Sequence, residues 1–350
     1  MTRPLWTMVG LLVVTLVVAA CGEATTTGSP GALGPTGGRL DQVRERDSLI
    51  CGVNDGLPGF GFVDESGENV GFDIDFCRAI AAAVLGDPSK VEFRAIDADG
   101  RQPAIQGGEI DVLLRNTTWT VSRDATWGLF GPTTFYDGQG MMVRAADGIE
   151  TLEDLEGATV CVQTGTTTEL NLADVMTSRG IELEETAAFG DDIQTYDAYD
   201  AGDCDAVTSD RSQLLAQRTA LDNPDEHIIL DEVMSKEPLG PVVPFGDEQW
   251  FNIVKWTVFA TIEAEELGIT QSNVGSMVED ESPLVARLLG AEGDLGLGLE
   301  PDWVVDVITA VGNYGEIYDR NLGPGTPFEL ERGPNALWTD GGLIYAPPYR

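Results

Sequence analysis

Residues 111–124, DVLLRNTTWTVSRD, pass from a buried-strand pattern into a cluster of polar side chains. Val112, Leu113 and Leu114 form a short apolar run of the kind found in parallel sheets, where both faces are covered. Asn116, Thr117 and Thr118 follow at once, and Arg123 falls at the start of the next helix. In an open α/β sheet, polar groups just past the carboxyl end of a strand lie where ligands bind. A guanidinium offers a planar fork that meets a carboxylate with two parallel hydrogen bonds. The competing reading of the same window is ordinary: Arg123 pairs with a surface acid and the threonines cap a helix.

Upstream, Leu49–Val53 reads as a first strand, followed by the loop NDGLPGFGFVDESGENV. Phe60 stands in that loop at a strand's carboxyl end and is a candidate ligand wall; alternatively Phe60 and Phe62 pack onto the sheet. Residues 71–87 have helical spacing (Phe76, Ile80, Ala83, Val84) and stop at Gly86 and Pro88. A strand is expected at residues 91–93, a short helix near residues 103–106, and another strand at residues 140–143.

From Thr151 a second α/β unit is expected, with a strand at residues 158–162. Thr166 and Glu169 have capping-box spacing, so a helix begins there and presents free N–H groups and a positive dipole end. Thr167 lies in its first turn. A short strand then ends in Asp210, placed either to face a cation across a cleft or to cap the helix that begins at Arg211. Residues 235–243, SKEPLGPVV, read as a second crossing between domains. Residues 247–267 form a long amphipathic helix and Trp303–Val311 a later one, with the remaining Gly- and Pro-rich tail wrapping the first domain.

The 350 residues suffice for two domains. Twenty basic against 59 acidic residues give a formal charge of −39, which argues against a phosphate-binding nucleic-acid partner and an electrostatic membrane patch. It fits a solvated, self-repelling surface suited to salt. Arg3, an apolar stretch over residues 5–18 and Ala19-Ala20-Cys21 resemble a bacterial lipoprotein signal, with Cys21 lipidated; an ordinary secretory signal is the alternative. Residues 22–39 read as a tether. Export makes the other four cysteines candidates for two disulfides. Cys51 and Cys77 fall in one half of the expected fold, Cys161 and Cys204 in the other, so Cys51–Cys77 and Cys161–Cys204 are the expected pairs. No cysteine has zinc-like spacing, and neither a metal nor a cofactor is expected.

The run Gly71-Phe72-Asp73-Ile74-Asp75-Phe76, with Ile80, Ala81 and Val84, resembles the signature of the family 3 extracellular solute-binding proteins of polar amino-acid ABC importers. RNTTWT, GTTTE, SKEPLGP, VGNYGE and the terminal GGLIYAPPYR resemble the general L-amino-acid-binding branch, and the likeness runs from Leu40 to Arg350. It implies an α/β, two-lobe periplasmic-binding-protein fold of type II, with two crossing strands as hinge. Residues 40–138 and 238–350 would form lobe 1, and residues 139–237 lobe 2.

The resemblance also implies that Arg123 holds a ligand α-carboxylate, helped by Asn116, Thr118 and Thr167. Asp210 would take the α-ammonium, and Phe60 would line the side-chain region. Arg115 stands where Ser or Gly is frequent, so it either favours acidic side chains or points outward. The implied partners are an L-amino acid, a membrane permease and, through the lipid, the cell membrane, on its periplasmic side or outer face. Two other functions share the scaffold: a sensor or accessory binding protein, and a cyclohexadienyl-type dehydratase. The dehydratase needs a placed acid or base. The lone histidine, His227, lies in a polar stretch read as interdomain.

Overall fold

A computed structural model describes residues 38–350 of the chain. The signal, Cys21 and the tether up to residue 37 lie outside the described residues. Among the described residues no helix is long and apolar enough to cross a membrane.

Two five-stranded sheets organise the chain. The first has the order Val91–Ala95, Leu49–Val53, Val112–Leu113, Val242–Val243, Leu129–Phe130. Its first three strands are parallel, and Val242–Val243 enters antiparallel between Val112–Leu113 and Leu129–Phe130. The second sheet has the order Glu185–Phe189, Thr159–Gln163, Ala206–Asp210, Gln139–Arg144, His227–Ile229. Here three parallel strands are followed by Gln139–Arg144, which pairs antiparallel both with Ala206–Asp210 and with the edge strand His227–Ile229. The stretch containing His227 is therefore an edge strand rather than an interdomain segment, and His227 is buried with Nδ1 2.9 Å from the Tyr199 hydroxyl.

Each sheet is covered on both faces, for the reason the strand patterns suggest. In the second lobe, Met141, Val143, Val160 and Ala206 face one apolar cluster, while Met142, Cys161 and Val207 face another. Successive side chains on a strand point to opposite faces, so neither face can be left wet. In the first lobe the helix Phe72–Leu85 is almost wholly buried between the sheet, Glu248–Glu266 and Trp303–Val311. The tail joins the same core through Leu337, Ile344 and Tyr349. Disulfides Cys51–Cys77 and Cys161–Cys204 each tie one lobe to itself.

Between the sheets, Phe135–Asp137 and Glu237–Leu239 pair antiparallel, with Glu237 opposite Asp137. These are the two crossing strands. The free edge of the first is occupied by Asn335, which accepts from the Tyr136 N–H at 2.7 Å and donates to the Tyr136 carbonyl at 3.1 Å. A buried side-chain amide thus stands in for a third strand. Asn335→Ala leaves both backbone groups unpaired, and unmade buried hydrogen bonds cost about 1–3 kcal/mol each. Chemical denaturation is expected to show a loss of about 2–4 kcal/mol for this substitution. A loss under about 0.5 kcal/mol, the size of a neutral surface change, would contradict the bracing role.

Candidate functional site

The polar cluster that follows Val112–Leu113 is shaped by its own backbone. Asn116 adopts φ +33°, a left-handed conformation that Asn tolerates better than most residues. Its N–H donates to Asp73 Oδ2 at 2.8 Å. Thr118 bridges to Leu239 and the Trp119 N–H donates to the Pro238 carbonyl, which lays this loop along the second crossing strand. Thr120 caps the helix Val121–Thr126 by accepting from the Arg123 N–H. The Arg123 side chain turns back, donates from Nη1 to the Thr118 carbonyl at 3.1 Å and lies 4.7 Å over the Trp127 ring. The guanidinium is thereby fixed and buried.

The second lobe supplies the opposing wall. Thr166 caps the helix Thr167–Arg179, accepting from the Glu169 N–H at 3.1 Å. The Glu169 carboxylate accepts from the Gly165 N–H rather than from Thr166, so half of the expected capping box forms. Thr167 Oγ1 lies 3.3 Å from Thr118 Oγ1 and donates to Glu237 Oε2 at 2.9 Å. Asp210 ends the strand Ala206–Asp210 at the N-cap position of Arg211–Arg218, yet its side chain makes no capping bond. Asp210 is buried, and its Oδ1 has no hydrogen-bond partner.

Between these walls lies a cavity in which every lining residue is polar. The first lobe contributes Arg101, Arg115, Asn116, Thr118 and Arg123; the second contributes Thr167 and Asp210 among others. Six of the seven expected ligand residues thus meet in one place.

Phe60 is the exception. Its ring is 1 % exposed and packs edge-on against Phe135 and Phe72, with centroids 5.2 and 6.0 Å away. The expectation that it forms a ligand wall is corrected here: covering a large apolar ring in the core outweighs presenting it to a polar cavity. Sequence reasoning missed Arg101, which opens the helix Arg101–Gln106. Its spacing gives no sign that the side chain turns inward, donating to Ala98 O within the lobe and to Gly165 O across the cleft. A larger and mostly apolar groove behind the crossing strands, lined by Tyr136, Lys236, Pro238 and Leu343, holds none of the candidate residues.

The lobes touch across the cleft. Besides the Arg101 and Thr118 contacts, Asn54 donates to Asp192 Oδ2 at 3.1 Å and Gln217 to Gly56 O at 3.0 Å. Gly165 adopts φ +72°, and a Cβ there would stand 1.9 Å from Asp99 Oδ1 of the facing lobe. Gly165→Ala should therefore hinder closure, and its expected result is at least a tenfold weaker ligand affinity. The structural part of the loss is capped near 1–2 kcal/mol, the ordinary cost of a left-handed non-Gly residue. Calorimetry beside thermal unfolding would separate the two; unchanged affinity would refute the closure argument.

Burial sets the electrostatics. It lowers Arg123 to about 10, with Glu237 and Asp210 opposing the shift, so the group stays cationic at neutral pH. Arg101 is pushed well below the ordinary arginine range by burial, and then by Arg115 and Arg123. Asp210 is pushed well above the ordinary carboxylate range by burial, and then by Asp137 and Glu237. Burial also raises Asp73, to about 6, against the Asn116 N–H and the Arg115 charge. No cluster of potential metal ligands occurs among the described residues.

Residues 49–323 match the family described as bacterial extracellular solute-binding proteins, family 3. The chain is 50 % identical over 340 residues to the general L-amino acid-binding periplasmic protein AapJ of Rhizobium johnstonii, covering 96 % of this chain and 99 % of that one. It is 47 % identical over 315 residues to the glutamate/glutamine/aspartate/asparagine-binding protein BztA of Rhodobacter capsulatus, covering 89 % and 93 %. Among solved structures it is similar to an ABC transporter periplasmic binding protein from Brucella ovis with glutathione bound. That likeness has a TM-score of 0.86 and 49 % identity, and covers 89 % of this chain and 99 % of that one.

Proposed function

The chain belongs to the family 3 bacterial extracellular solute-binding proteins, and from that membership we propose that it captures L-amino acids between its two lobes and delivers them to the permease of an ABC importer. The observation that carries this reading is the pairing of an un-neutralised guanidinium, Arg123, with an unpartnered carboxylate, Asp210, on opposite walls of one closed cavity. A zwitterion carries two opposite charges a few ångström apart and supplies what each wall lacks. Arg123 takes the α-carboxylate, with Asn116, Thr118 and Thr167 beside it, and Asp210 takes the α-ammonium. Arg115 stands at the side-chain end.

Closure follows from the same requirement. A buried charge is costly unless paired, so the empty closed cleft is disfavoured and a ligand that touches both walls favours it. Residues 40–138 and 238–350 act as one lobe and residues 139–237 as the other, rotating about the two crossing strands. The closed form is what the permease reads. The protein is a carrier of solute and not a catalyst, and it is held at the outer face of the membrane by lipid on Cys21.

A thermal-shift screen of the mature protein against the common L-amino acids tests this reading. A ligand at one hundred times its Kd stabilises the native state by about 2.7 kcal/mol. Several amino acids should raise the unfolding midpoint; a panel without a single shift would refute the assignment. The anchor has its own check: the membrane-extracted protein should begin at a lipid-modified Cys21, and an unmodified chain starting elsewhere would exclude it.

A further inference from the structure

We infer that the cleft is built for amino acids whose side chain carries a second acidic group, and that Arg101 and Arg115 determine that specificity. This deepens the proposed function and rests on it.

Three guanidiniums, those of Arg101, Arg115 and Arg123, line one cavity and are 3 %, 4 % and 6 % exposed. Each hydrogen bond that they make ends on a neutral oxygen. Arg101 donates to Ala98 O and Gly165 O, Arg115 to Ile96 O and Asn116 Oδ1, and Arg123 to Thr118 O. Among the described residues, Arg39, Arg46, Arg78 and Arg332, all more accessible, do form ion pairs. These three form none.

Carboxylates do stand behind the wall, but neutral donors already hold them. Asp73 accepts from Asn116 N, Asp192 from Asn54 and Gln213, and Glu237 from Thr167, Asn171 and Ser235. They soften the positive field without accepting the guanidinium N–H groups. Asp210 is the one carboxylate on the cavity wall, and it is assigned to the ammonium.

Donors outnumber acceptors in this cleft. A guanidinium has five N–H donors, so three supply about fifteen, of which five are used by the protein bonds above. One α-carboxylate offers about four lone-pair sites. The remaining donors call for another oxyanion, which a side-chain carboxylate provides in the bidentate geometry that arginine favours. A side-chain amide brings fewer acceptor sites and turns two donors of its own toward a cationic wall. A leucine side chain brings none. Acid and amide are nearly equal in size, so the contrast isolates charge from shape.

Isothermal titration of the mature, ligand-stripped protein, disulfides intact, with L-glutamate, L-aspartate, L-glutamine, L-asparagine and L-leucine tests this. The acids should bind at least tenfold more tightly than their own amides, and leucine more weakly still. Arg101→Gln and Arg115→Gln should each reduce the glutamate-to-glutamine affinity ratio at least tenfold. That ratio is read within one protein and cannot be imitated by a general loss of fold. If Arg101→Gln does not fold, Arg115→Gln and the wild-type ratio decide the matter. Amides or leucine binding as tightly as the acids would overturn the specificity and leave the amino-acid reading standing. No binding by any of the five would overturn the specificity, and the amino-acid reading falls with it only if the full panel of common L-amino acids also gives no thermal shift.

Discussion

Replacing Arg123 with methionine should weaken the binding of every captured amino acid by about 30-fold to several-thousand-fold. Truncating one partner of a buried, hydrogen-bonded charge pair costs about 2–5 kcal/mol, much of it from the charge left behind, and each 1.4 kcal/mol is a factor of about ten. The α-carboxylate is common to all amino acids, so the loss should not depend on the side chain. Methionine keeps an apolar stem against Trp127, over which the guanidinium lies. The ligand-free protein should be no less stable than wild type, because a buried cation without a counter-charge is removed. Loss of binding with unchanged or higher stability identifies a ligand contact, whereas parallel losses of both would identify a structural arginine and defeat the assignment.

The second large effect belongs to Asp210. In the empty cleft burial holds this carboxyl well above its ordinary range, so it retains its proton under conditions where exposed aspartates have lost theirs. An ammonium beside it favours the carboxylate, so ligand binding should release protons, up to one per site. The bound state then carries fewer protons than the free state, and affinity rises as pH rises toward the free-state value. Titrations in buffers of different ionisation enthalpy measure the proton directly. Asp210→Asn should abolish the release and weaken binding by about 2–5 kcal/mol. Equal heats in all buffers for the wild type would rule out the proposed partner of the ammonium.

The sign for stability is opposite to that of a salt-bridged acid. Asp73, at about 6 in the fold, binds a proton more tightly folded than unfolded. Its contribution is most favourable below the ordinary aspartate value near 4 and is lost as pH rises to about 6. Asp210 acts in the same direction, so the ligand-free protein loses stability from these groups as the medium becomes less acidic. Bound ligand removes the part due to Asp210.

Much of this architecture was legible because strand burial and helix punctuation act locally. Leu49–Val53 and Trp303–Val311 have the expected bounds, and Phe72–Leu85 and Thr167–Arg179 begin and end at the residues that cap or stop them. The strand Glu185–Phe189 was not legible: ETAAF has little apolar content, and its pairing with Thr159–Gln163 is a tertiary matter. His227–Ile229 went unseen for the same reason, since an edge strand need bury only part of itself.

In the site, Asn116, Thr118, Arg123, Thr167 and Asp210 could be placed because each stands at a strand end or a helix start. Arg101 could not, because the direction of a long side chain depends on what faces it, here the Gly165 carbonyl of the other lobe. Phe60 was misjudged on the same ground: a loop aromatic goes where the most apolar area can be covered, and Phe72 and Phe135 offer that.

A crystal structure of the mature protein with bound L-glutamate tests the central claim most directly. The account predicts both lobes closed on one ligand, the Arg123 guanidinium hydrogen-bonded to its α-carboxylate and Asp210 Oδ1 to its ammonium. A ligand seated elsewhere, with Arg123 and Asp210 turned away from it, would contradict the account.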